Sequence, residues 1–102
     1  MEGYKLGVKH GREYDEILKE LTVAVGQIED SYLFFEMEAE EWAQLPEEDK
    51  HEVMEALAED LFYGLGTEPV ITVGSGIVIH DQDTHRINVL IGDTELAYVA
   101  LT

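Results

Sequence analysis

The sequence predicts a two-layer α+β domain: one main amphipathic helix over about residues 46–63, packed on a mostly antiparallel sheet with a C-terminal β-meander. Three observations lead there. Apolar residues recur at helical spacing after Pro46, and after Pro69 the composition turns to β-branched residues with turn formers at short intervals. No repeat, low-complexity tract or Pro/Gly/Ser-rich linker divides the 102 residues, so 1–102 reads as a single domain. A chain of this length buries about 65% of its unfolded surface, enough for one core.

The first periodic stretch is Glu13 to Glu20, where Tyr14, Ile17, Leu18 and the following Leu21 fall on one helical stripe. Thr22 to Val25 alternates like a strand and would equally prolong that helix to a cap at Gly26; the expected arrangement is a short helix and then a strand. Ser31 to Met37 is aromatic and strand-like, with Leu33, Phe35 and Met37 on one face and Phe34, Glu36 and Glu38 on the other. Trp42 is expected to close one end of the core, the alternative being an interface anchor.

For the main helix, Pro46 suits the first turn because its missing N–H would be unpaired there. Glu47, Glu48 and Asp49 follow where the helix dipole favours anions. Val53, Met54, Leu57, Ala58, Leu61 and Phe62 form the apolar stripe, and Gly64 and Gly66 offer left-handed caps. Glu48, Glu52, Glu55 and Glu59 line the polar side at spacings of four, three and four, where like charges cost a few tenths of a kcal/mol each.

Val70 to His80, Arg86 to Ile91 and Glu95 to Leu101 read as strands, joined by turns at Asp81–His85 and Gly92–Thr94. Gly74-Ser75-Gly76 interrupts the first as a bulge or as a tight hairpin that splits it. The last two strands are apolar on both faces, more than one helix about 10 to 12 Å across covers. The expected cover is a second copy, giving a homodimer packed through the sheet.

Charge bounds the partners. The chain holds 23 Asp plus Glu against 6 Lys plus Arg, a formal net charge of −17 with histidine neutral. Nucleic acid and anionic membrane surfaces are both bound by surplus cations, so neither is an expected partner. Residues 1–19 sum to zero, with Glu2 and Lys5 among them, and the excess lies after Lys19; eleven acids and one lysine fall between Glu36 and Asp60. Hydrophobic content of 45% with nine aromatic residues argues against disorder. The chain has no cysteine, so disulfides and thiolate chemistry are excluded, and no signal-like or membrane-spanning apolar run is present. A cytoplasmic protein is the expectation.

Chemistry is sparse. Gly74-Ser75-Gly76 precedes a strand rather than a helix and has no lysine nearby, so it is no phosphate loop, and it departs from the nucleophile-elbow spacing. Glu36 and Glu38 share one face of the expected strand, an arrangement that serves acid–base catalysis only when one member is desolvated. His80, Asp83 and His85 bracket one turn and offer two imidazoles and a carboxylate to a divalent metal, although without a rigid ligand spacing. No catalytic motif and no cofactor signature is present. The function expected is a non-enzymatic protein–protein interaction or regulatory module that contacts a basic partner through Glu48, Glu52, Glu55 and Glu59. The alternative is a small ligand- or metal-binding domain using the His80–His85 turn.

Overall fold

In the computed structural model, which describes residues 7–102, three α-helices and a 3-10 helix precede a four-stranded sheet. Glu2 and Lys5 lie outside the described residues. The helices are α1 (Tyr14–Val25), α2 (Ala39–Gln44) and α3 (Glu47–Gly64), with the 3-10 helix at Ser31–Phe35 between α1 and α2. The strands are β1 (Val70–Val73), β2 (Gly76–Asp81), β3 (Arg86–Ile91) and β4 (Thr94–Ala100). They pair in the order β1-β2-β3-β4, every pair antiparallel, which is an uninterrupted meander. The α+β architecture expected from the sequence is the observed one.

Helices α1 and α3 each bury one stripe, and α2 buries none of its residues. Ile17, Leu21, Ala24 and Val25 of α1 and Met54, Leu57, Ala58, Leu61 and Phe62 of α3 meet Val73, Val78, Ile87, Val89 and Val99 from one face of the sheet. Leu101, just past β4, is buried among them. Arg12 ties the start of α1 to this edge: its guanidinium donates to the Ala100 carbonyl at 3.0 Å and to both carboxylate oxygens of Glu20. That pairing holds the Glu20 carboxyl below its usual range.

Three local expectations are corrected. Thr22 to Val25 is not a strand; α1 runs unbroken to Val25, because Leu21, Ala24 and Val25 continue the buried stripe and the Thr22 hydroxyl bonds back to the Leu18 carbonyl at 2.7 Å. Ser31 to Met37 is not a strand either. Its first five residues form the 3-10 helix, Ser31 Oγ turns to Met54 Sδ, and Glu36 ends the turn in the left-handed region at φ 60°. Glu36 and Glu38 therefore share no strand face, and Glu38 instead precedes α2 with its N–H donating to Glu41 Oε1 at 2.9 Å. Finally, neither Gly64 nor Gly66 caps α3 left-handed. Leu65 keeps a right-handed conformation and donates to the Leu61 carbonyl at 2.8 Å, and the end then tightens as Gly66 donates to the Tyr63 carbonyl at 3.1 Å.

Of the two readings of Gly74-Ser75-Gly76, the tight hairpin is observed: Val73 pairs directly with Gly76. Gly74 sits at φ +56°, and a Cβ there would lie 2.4 Å from the Asp30 carbonyl oxygen, so only glycine fits. Trp42 packs half-buried against the core edge, stacked on Tyr32 at 5.6 Å between ring centroids with the Lys50 ammonium 5.6 Å above its ring.

Candidate functional site

The sheet has two unlike faces. Alternation sends Val73, Val78, Ile87, Val89 and Val99 into the helical layer and sends Val70, Ile77, Ile79, Leu90 and Tyr98 to the opposite side. Among the described residues no helix covers that opposite side: Val70 is 52% exposed and Tyr98 51%, with Ile77, Ile79 and Leu90 half-buried between them. Its charged groups are few. Asp81 pairs across strands with Arg86, whose guanidinium lies 4.2 Å above the Tyr98 ring, and Glu95 stands opposite Leu90. A register shift between Val89 and Leu90 lets both Leu96 and Ala97 remain half-buried at the β4 edge.

The acidic residues gather on the helices instead. Glu48, Glu52, Glu55 and Glu59 are all exposed, on the side of α3 away from Met54, Leu57 and Leu61. Of the four, Glu55 has a distant partner in His51, whose Nε2 lies 3.7 Å from its Oε2, and the nearby Lys50 Nζ instead lies 3.8 Å from Glu47 Oε2. Glu40, Glu41 and Asp60 are exposed as well. The two faces of this domain therefore differ sharply in charge.

A cavity of about 670 Å³ opens between the start of the described chain, the end of α3 and the β2–β3 turn. Gly7, Val8, Lys9, Tyr63, Gly64, Gly66, Thr67, His80, Gln82 and His85 line it. Close backbone approach builds its floor: a Cβ at Gly66 would stand 2.6 Å from the Gly7 carbonyl oxygen. The adjoining aromatic wall is fixed by Tyr14, which meets Phe62 edge-on at 5.0 Å and lies 6.4 Å from Tyr63. Burial first, then Tyr63 and Glu59, pushes the Tyr14 hydroxyl up to about 12, so it stays protonated.

Of the three residues expected to bracket a metal, His80 and His85 line this cavity and Asp83 does not. Asp83 is exposed at the turn, its N–H donating to Asp81 Oδ1 at 3.0 Å. Among the described residues no group of three His, Asp or Glu side chains is arranged to hold a metal ion. His85 closes the turn in the left-handed region at φ 55°, and its carbonyl accepts from the Leu101 N–H at 2.9 Å. Among the described residues His80 Nδ1 is buried without a hydrogen-bond partner. Asp81, at the same turn, also accepts from Thr84 at 3.3 Å, and these amide bonds hold its carboxyl below the usual range.

Sequence reasoning singled out both histidines from their clustering, but not Lys9 and the glycines that complete the cavity, because they arrive from two other segments, residues 7–9 and 64–66. No helix among the described residues is long and apolar enough to cross a membrane. Compared with known proteins, the chain matches no family, no curated protein and no solved structure.

Proposed function

We propose that this chain is a non-enzymatic protein-interaction module that works as a homodimer joined through the outer face of its sheet. The observation that carries this reading is the nearly neutral apolar face of Val70, Ile77, Ile79, Leu90 and Tyr98, which no helix of the described residues covers, on a chain of net charge −17. Two such chains repel one another at most approaches. They meet without that cost only where acids are few, and a twofold contact needs a patch that complements itself. Asp81 and Arg86, of opposite sign on one apolar face, meet that need. Joining the sheets leaves Glu48, Glu52, Glu55 and Glu59 of each copy on the outside, where a basic protein docks. The cysteine-free sequence is what supports a cytoplasmic setting.

Light scattering tests the pairing. At tens of micromolar the expected mass is twice the 11.5 kDa of one chain. Val70→Glu or Tyr98→Glu, both at half-exposed positions that a folded chain tolerates, is expected to return one chain mass with unchanged circular dichroism. A wild-type chain that scatters as a monomer defeats the proposal.

A further inference from the structure

Three of the chain's ten basic residues, Lys9, His80 and His85, line one cavity, and no acidic residue of those described does. On a chain of net charge −17, a lining with a lysine and no carboxylate of the described residues departs from the prevailing charge. The two carboxylates of the adjoining turn stay out of the lining: Asp81 accepts from the amides of Asp83 and Thr84, and Asp83 is exposed. We propose that the cavity binds a small organic anion, an apolar body carrying a carboxylate or phosphate head.

The volume of about 670 Å³ lies within the range of small-molecule sites, which are mostly apolar with a few placed polar groups. Here Val8 and Tyr63 supply apolar wall, while Gln82 and the two imidazoles supply hydrogen-bond donors. Lys9 belongs to the lining, and an ammonium attracts an anion and repels a divalent cation. This site stands apart from the proposed dimer contact, since His80 belongs to the helix-facing side of β2, with Val78, and Ile79 to the other.

The test is titration of the full chain with phenyl phosphate and with benzoate, followed by amide chemical shifts. Saturable shifts confined to Gly7–Lys9, Tyr63–Thr67 and His80–His85, with a Kd of about 1 mM or tighter, are expected for at least one probe. A response to phenyl phosphate alone assigns a phosphate head, and a response to benzoate alone a carboxylate. Lys9→Glu and His85→Asn, at exposed positions that leave the core intact, are each expected to weaken binding about tenfold, and Lys19→Glu to leave it unchanged. Absence of saturable shifts with both probes overturns the proposal, as does binding indifferent to both variants. Zinc chloride shifting the two imidazoles at lower concentration than either anion overturns it too.

Discussion

The carboxylate of Asp30 accepts two hydrogen bonds from Ser75, one from its N–H and one from its hydroxyl, both at 2.9 Å to the same oxygen. Forty-five residues separate them, so the contact pins the β1–β2 turn to the loop after α1. Asp30→Ala is expected to lower stability by about 1 kcal/mol, the lower part of the range for a charged acceptor because the pair faces solvent. Chemical denaturation with an unchanged slope would check it. Gly74→Ala is expected to cost more, about 2 kcal/mol or above, since it adds left-handed strain to a collision with Asp30.

The same contact gives a pH dependence. The Ser75 amide holds the Asp30 carboxyl below its usual range. A carboxyl whose folded value is depressed binds fewer protons folded than unfolded, so its contribution is complete above the unfolded value and is lost as pH falls through the folded one. Asp30→Asn is expected to flatten the acid side of the stability profile, and the two profiles should converge in acid. Parallel curves would refute the assignment.

Glu36 stands at φ 60° in the left-handed region, where a Cβ is strained and glycine is not. Glu36→Gly is expected to stabilise the fold by about 0.5 kcal/mol, the relief of strain exceeding the extra unfolded-state entropy. Thermal unfolding would show the rise. A fall in Tm of several degrees would mean that the Glu36 side chain makes a contact worth more than its strain.

Along α3, Glu52 has Glu48 one turn before it and Glu55 nearly one turn after. Glu52→Lys converts two repulsions into two attractions and is expected to stabilise by about 0.5 kcal/mol at low salt, less at high salt. If Glu48, Glu52, Glu55 and Glu59 form the contacting ridge, the Glu52→Lys, Glu55→Lys pair is expected to release a lysine-rich peptide that the wild type binds. Asp15→Lys with Glu29→Lys, equal in charge but elsewhere, should retain it. Equal loss in both pairs would reduce the ridge to bulk charge.

What the sequence showed of this fold depended on how far each pattern extends. Helix α3 was legible because its stripe repeats over 18 residues and is bracketed by Pro46 and Gly64, and the meander because its turns sit at short intervals. Ser31 to Met37 misled because five aromatic and aliphatic residues look alike in a strand and in a single 3-10 turn. What decided between them is tertiary: the reach of Ser31 to Met54 and the anchoring of Asp30 by Ser75. Site information was thinner still. The clustering of His80 and His85 drew notice, yet what surrounds them comes from residues 7–9 and 63–67, a convergence that no local spacing encodes.

The most direct measurement of the central claim is an isotope-filtered NOESY spectrum on a mixture of labelled and unlabelled chains, which reports contacts between copies only. Intermolecular cross-peaks are expected at the side chains of Val70, Ile77, Ile79, Leu90 and Tyr98. Cross-peaks at α3, or none at concentrations where two copies associate, would contradict pairing through the outer face of the sheet.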